Sequence, residues 1–235
     1  MRYEEYVNSQ LTKLKKAGIV RTDEMLDLDL YIDQAEAFFK KQMGMLDSPA
    51  AERYSTKSAI NTYAKHNMIA RPDGKKYSKA HMVMIAMVIY LKGIFKMEDI
   101  EKLMSPLVEN YNSEFDDKID PQMLYHAACS VNAGALDAFS ADIDSSISSI
   151  KKQLESDDPD LADDERMEVL TLILALAMKA DMQKYMAQRL LETYFINPAN
   201  ERPEKFKMPK QPKEKKKTEK KPDKKAENTT QKKGE

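Results

Sequence analysis

The chain has 235 residues, 42% of them hydrophobic, with a formal net charge of −1, one cysteine and no tryptophan. Such a length buries a real core as one or two domains, and a single cysteine excludes an internal disulfide framework. The longest clean apolar run, Met82–Leu91, falls well short of the roughly 20 residues that span a bilayer, so no membrane partner is expected.

The first ten residues, MRYEEYVNSQ, are charged from the outset and offer no hydrophobic signal segment, which points to a cytoplasmic location. A net charge near zero conceals a split. Residues 199–235 carry fourteen Lys or Arg against seven Asp or Glu, a balance of +7, leaving twenty-four cations against thirty-two anions, −8, in 1–198. Gly is scarce, β-branched alternation is absent, and apolar residues recur at helical spacing through most of 1–196, so the expected fold class is all-α.

In chain order, residues 2–17 read as an amphipathic helix with Tyr3, Val7, Leu11 and Leu14 along one side and Gly18 as its stop. A second helix is predicted from Asp29 to Met43, with Tyr31, Ala35, Phe38 and Phe39 as its apolar stripe and Gly44 at its end. A connection over 45–54 leads to a short polar helix, 56–66, capped by Ser55 or Thr56. Ile60, Tyr63 and Ala64 face inward there, which leaves Lys57, Ser58, Asn61, Thr62 and Lys65 on the outer face. Asn67 tolerates the left-handed conformation that ends helices, and Arg71-Pro72-Asp73-Gly74 is a turn signature. Ser78 then caps a helix whose run Met82–Leu91 marks the local core.

Across 55–82 the cations are Lys57, Lys65, Arg71, Lys75, Lys76 and Lys79, against Asp73 alone, a balance of +5 in an otherwise acidic body. A polar helix packed on a buried one and followed by a basic turn is the layout of a helix-turn-helix reader of DNA. The plainer alternative is a solvated basic face on an ordinary helical bundle.

Downstream, Met97–Met104 reads as a short helix ending at Ser105-Pro106, and Asp116-Asp117 and Asp120-Pro121 mark a loop. From Pro121 to Ala135 another helix carries Leu124, Ala127, Ala128 and Val131 as its apolar side. His126 and Cys129 lie three apart, but zinc needs three or four protein ligands and no second cysteine exists, so a buried thiol is expected and no metal or other cofactor. A helix over 137–155 presents Ile143, Ile147, Ile150 and Leu154. Its Asp142-x-Asp144-x-Ser146 run lacks the Gly and the Glu of a calcium loop. The acidic patch Glu155–Glu165, with Pro159, reads as a turn, and Asp163 or Asp164 caps a long final helix reaching Phe195. Val169–Met178 is apolar nearly all round, and Met182, Tyr185, Met186, Leu190, Leu191 and Tyr194 continue the stripe. Such a helix needs partners on all sides, so homodimerisation through 122–196 is expected. Complete cover by the helices of 122–155 is the alternative. Asn197-Pro198 stops the helix, and the Lys-rich tail 199–235 is low-complexity and expected to be disordered.

Tyr63-x-x-x-Asn67-Met68-Ile69, a basic turn, Lys76-Tyr77-Ser78 and the long helix that follows resemble the DNA-binding half of the MerR-type regulators, and Phe95-Lys96-Met97-Glu98-Asp99-Ile100 extends the likeness. A closer resemblance is to the bacterial domain-of-unknown-function family numbered 1836. Its pattern stands here as Leu30-Tyr31-x-Asp33-Gln34, Thr56-Lys57-x-x-Ile60-Asn61-x-Tyr63-x-Lys65, Lys76-Tyr77-Ser78-x-x-His81, Tyr90-Leu91-Lys92 and Asp99-Ile100. Leu176-Ala177-x-Lys179-Ala180 through Glu192-x-Tyr194-Phe195 also fits, so the resemblance covers about 28–196. It brings no biochemical role with it. The MerR likeness implies a helix-turn-helix domain over 28–106 after an N-terminal helix in 1–27, and a dimerisation or regulatory bundle over 107–198. Where MerR regulators place Arg-Tyr, this chain has Asn61-Thr62; Lys96 replaces a capping Ser, and the β-wing is shortened to a stub or lost.

No Gly-rich phosphate loop, HExxH pair or nucleophile elbow occurs, and His66, His81 and His126 sit on separate segments, so no enzyme is expected. The leading expectation is a regulator that binds duplex DNA as a homodimer. Lys57, Ser58, Asn61 and Thr62 are its candidate base or phosphate contacts, with Asn61 able to pair bidentately with adenine, and Lys65, Arg71, Lys75, Lys76 and Lys79 its phosphate contacts. The competing expectation is a protein-interaction adaptor that keeps the scaffold without reading DNA. A third is a small-molecule sensor with its pocket in the Met-rich helical half.

Overall fold

The computed structural model describes residues 2–17, 19–44, 53–111, 120–158 and 164–197. Among them the elements run α1 (Tyr3–Ala17), β1 (Leu30–Tyr31), α2 (Ile32–Gly44), α3 (Lys57–Lys65), β2 (Lys76–Tyr77), α4 (Lys79–Lys92), α5 (Met97–Tyr111), α6 (Pro121–Val131), α7 (Ala135–Asp157) and α8 (Glu165–Leu191), which closes in a π-helical turn, Glu192–Ile196. The described chain is thus all-α apart from one ribbon. β1 and β2 pair antiparallel with Leu30 opposite Tyr77 and Tyr31 opposite Lys76. Gly18, most of the 45–54 connection, the Asp116-Asp117 loop, Pro159, Asp163, Pro198 and the tail lie outside the described residues.

The core forms around α4. His81 through Ala86, Val88 and Ile89 are all buried, as the unbroken apolar run requires, while Tyr90 near its end is exposed. Ala35, Phe39 and Met43 of α2, Ile60 and Tyr63 of α3, Ile100, Met104, Leu107 and Val108 of α5 and Tyr125 of α6 pack into the same cluster. Met68, Ile69 and Ala70, in the segment after α3, are wholly buried there too. Buried Leu11, Ile143, Ile150 and Leu172 lie outside that cluster, on α1, α7 and α8. An ionic group ties these helices: the Tyr3 hydroxyl donates to Glu168 (2.5 Å), its backbone N–H to Glu165 (2.7 Å), and Lys151 binds Glu4.

Several expectations change in three dimensions. The second helix begins at Ile32 rather than Asp29, because Leu30 and Tyr31 are drawn into the ribbon; Tyr31 consequently points outward and is exposed. The helix expected to end at Ser105-Pro106 continues to Tyr111. Pro106 removes one donor and crowds the Lys102 carbonyl, but both residues are exposed, so water satisfies what the ring displaces. Ile100, Met104, Leu107 and Val108 meanwhile keep one buried face across the proline. The 121–135 helix turns a different side inward. Leu124, Ala127, Ala128 and Val131 are exposed, while Pro121 and Tyr125 are buried and Cys129 is half-buried. The Tyr125 hydroxyl donates to the Val20 carbonyl at 2.5 Å, and that bond, reaching across the core, sets the rotation.

The final helix begins as expected, with the Asp164 carboxylate accepting from the Arg166 and Met167 N–H groups. Its flanks differ from the expectation of burial on all sides. α7 covers one side, where Leu172 is buried, and Lys179 reaches Asp142 of the rejected calcium-like run at 2.6 Å. Leu170, Ile173, Leu174, Met178, Met182, Tyr185, Met186, Leu190 and Tyr194 are each more than half exposed. The helices of 122–155 therefore do not cover it.

Candidate nucleic-acid interface

α3 starts where the Thr56 hydroxyl accepts the Ala59 N–H at 3.2 Å. It stops at His66, and Asn67 then takes φ +51°, the left-handed residue its side chain tolerates. Ile60 and Tyr63 are buried, and the Tyr63 hydroxyl donates to the Tyr54 carbonyl at 2.8 Å, anchoring the helix from below. Lys57, Ser58, Asn61 and Lys65 are exposed on the opposite side. Thr62 is half-buried and its hydroxyl donates back to the Ser58 carbonyl at 2.8 Å, so of the five it is the least available to a ligand.

The basic turn is a hairpin set two residues later than Arg71–Gly74. The Lys76 N–H donates to the Asp73 carbonyl at 2.8 Å, with Gly74 at φ +52° and Lys75 at φ +68° between them. Two successive positive φ values define a type I′ turn, whose twist suits a tight antiparallel ribbon. Gly74 accepts its conformation readily; Lys75 holds its own at a cost of roughly 1 kcal/mol, and the Lys ammonium is carried at the tip. Arg71, Lys75 and Lys76 are exposed, and Lys79 is half-buried in the first turn of α4.

His81 fastens this hairpin to the core. Its Nδ1 accepts the Ser78 N–H at 3.2 Å, which leaves Nε2 as the protonated nitrogen, donating to the Arg71 carbonyl at 3.3 Å. Tyr77 and Tyr111 press edge-on against the ring. Burial lowers the His81 pKa, and the bond to Arg71 only partly opposes that shift. The role is structural and leaves no nitrogen for a phosphate.

Two acidic residues, which the charge count over 55–82 omits, meet the start of α3. Glu36 accepts the Lys57 backbone N–H at 3.2 Å and also binds Lys40 at 3.2 Å, while Asp33 forms an ion pair with the Lys57 ammonium. Asp33 raises the Lys57 pKa, and the Lys57 N–H lowers that of Glu36. The helix end that would favour an anion is therefore already faced by carboxylates. Nothing in the local sequence signals this, since Asp33 and Lys57 sit on different helices. Among the described residues no group of three or more His, Cys, Asp or Glu could hold a metal ion; Cys129 has a pKa raised chiefly by burial, and His126 is exposed. No described helix is long and apolar enough to cross a membrane.

The structure thus exposes Ser58, Asn61 and Lys65 on one face of α3, and Arg71, Lys75 and Lys76 before, at and after the turn that leads into β2, over an all-α core. Residues 20–128, which contain all of these elements, match the sequence model of the family described as a domain of unknown function, DUF1836. The match opens at 20 rather than 28 and closes at 128, short of 196, so α7 and α8 lie beyond it. Neither a curated protein nor a solved structure matches the chain.

Proposed function

We propose that this protein is a non-enzymatic, cytoplasmic transcriptional regulator of MerR-like architecture that binds duplex DNA through the helix 56–66 and the basic turn 71–79, as a homodimer. The observation that carries the reading is the pairing of an exposed polar helix face, Ser58, Asn61 and Lys65, with a type I′ hairpin that keeps Lys75 in a left-handed conformation. In this reading α3 enters the major groove, where the Asn61 amide can address adenine N6 and N7. Lys65, Arg71, Lys75, Lys76 and Lys79 hold phosphates, which position the protein without specifying sequence.

Dimerisation is supported by the outer face of α8. Nine large apolar side chains of α8 and its closing turn are each more than half exposed, and contiguous apolar surface on that scale marks interaction sites. A two-fold pair then presents two readers to a palindromic site.

The test is enrichment of genomic fragments by the full chain and by residues 1–198 side by side, across a salt series. A palindromic site enriched by both, with log K falling steeply against log salt, is the expected result. Binding that vanishes with residues 199–235 shows that the tail alone attracts phosphate, and it sinks the reading.

One observation favours a second reading, a protein-interaction adaptor. Asp33 and Glu36 occupy the start of α3 and engage Lys57, and carboxylates there repel a phosphate backbone. The charge-reversal pair Lys57→Glu with Lys65→Glu separates the two. Lost DNA retention in a folded variant favours the regulator; absence of any DNA signal in either form favours the adaptor.

A further inference from the structure

We infer that the groove between α4, α5, α6 and the π-helical turn is a binding site for an uncharged, apolar small molecule. Met87 and Leu91 of α4, Leu103 and Leu107 of α5, Leu124 of α6 and Phe195 of the turn form its walls, and it encloses about 380 Å³. That is at the lower end of the roughly 300–1,000 Å³ typical of small-molecule sites. No charged or hydrogen-bonding side chain lines it. Water placed there finds too few polar partners to be held, and a carboxylate or ammonium would be desolvated with no counter-charge. The charge character of the lining therefore selects a neutral ligand, aliphatic or aromatic.

Two features make this more than a packing gap. The Met87 and Met104 thioethers adapt to differently shaped guests at little cost. The wall contributed by Phe195 belongs to a π-helical turn, closed by the Asn197 N–H donating to the Glu192 carbonyl at 2.9 Å. That turn ends the long helix and carries Phe195 to the groove beside α5. The rotation that the Tyr125 bond gives α6 leaves Leu124 and Ala128 out of the core and turns them to this space. Binding here stands whether or not the chain reads DNA.

The probe is N-phenyl-1-naphthylamine, a neutral aromatic amine that brightens in apolar surroundings, titrated into the full chain. Saturable binding of one probe per chain is expected. Ala128→Trp, which fills the groove, and Leu124→Glu, which puts a charge at its mouth, should each weaken binding at least tenfold. Both residues are exposed, so folding is retained, and circular dichroism checks it. Leu26→Lys, at an exposed apolar position outside the groove lining, is the control for adsorption to exposed apolar surface and should leave binding unchanged. Non-saturable brightening, or binding that survives both groove variants, overturns the inference. Loss in Leu26→Lys also overturns it, assigning the probe to exposed apolar surface instead.

Discussion

Val20 is held from both sides by phenol groups, and removing either one gives a graded cost that the structure sets. Its N–H donates to the Tyr90 hydroxyl at 3.0 Å, and its carbonyl accepts from the Tyr125 hydroxyl at 2.5 Å. These two bonds join the segment before α2 to α4 and α6. Val20 and Tyr125 are 2% and 4% exposed, whereas Tyr90 is 38% exposed. Tyr125→Phe leaves a carbonyl without its donor where water does not reach, a loss of about 1–3 kcal/mol. Tyr90→Phe leaves an N–H near a more open ring, so water compensates in part and the loss is about 0.5–1.5 kcal/mol. Because both grip one residue, the double variant should cost less than the sum of the singles by at least about 0.5 kcal/mol. Urea unfolding of the four proteins, followed by circular dichroism, measures all three quantities. A Tyr125→Phe loss below that of Tyr90→Phe, or strict additivity, would refute the clamp.

Four further outcomes are expected. Lys75→Asn relieves the left-handed strain at the hairpin tip and should stabilise the fold by up to about 1 kcal/mol, while lowering the slope of log K against log salt by about 0.9 per copy in DNA retention; a less stable variant contradicts the turn assignment. The His81 imidazole is neutral in the fold with its pKa below the ordinary 6.5. The unfolded chain therefore takes up the proton first as pH falls, and stability should drop from about pH 6.5 downward until the folded pKa is passed, by at most about 1.4 kcal/mol per pH unit. His81→Gln should flatten that part of the urea-midpoint profile, and an unchanged slope would assign it elsewhere. Sedimentation equilibrium should return twice the 27.0 kDa chain mass, and Met182→Lys, at an exposed position, should return the monomer with an unchanged far-ultraviolet spectrum; a native monomer removes the two-copy reading. Glu36→Gln takes a negative charge from beside the start of α3 and should tighten DNA retention severalfold if DNA is the partner, with no change pointing to the adaptor.

The helix faces that local spacing determines were readable in the residues. Met82–Ile89 is enclosed but for the half-buried Met87, because an unbroken apolar run leaves no side for water, and Ile60 and Tyr63 are buried because they sit one turn apart on a short polar helix. Asn67 and Asp164 act as stop and cap through bonds that span three residues or fewer, which is why the sequence alone located them. The exposure of Lys57, Lys65, Arg71, Lys75 and Lys76 was legible too, since charged side chains keep to the surface wherever the backbone runs.

Tertiary structure decided what depends on distant partners. α6 is weakly amphipathic, with Ala and apolar residues on more than one side, so its rotation was set by Tyr125 reaching Val20, 105 positions away, rather than by its own spacing. Pro106 did not end α5, because an apolar face continuing through Leu107 and Val108 gained more by burial than one exposed backbone bond lost. Asp33 and Glu36 became part of the candidate interface only when α2 packed beside α3, bringing carboxylates to Lys57 across 21 or more positions of chain. The apolar stripe of α8 is the reverse case: composition called for cover, and among the described residues nine side chains of that helix and its closing turn stay more than half exposed. Periodicity reports how much apolar surface a helix has to bury. Which surface meets it is fixed by long-range packing, where several weak local preferences compete and the best-satisfied core prevails.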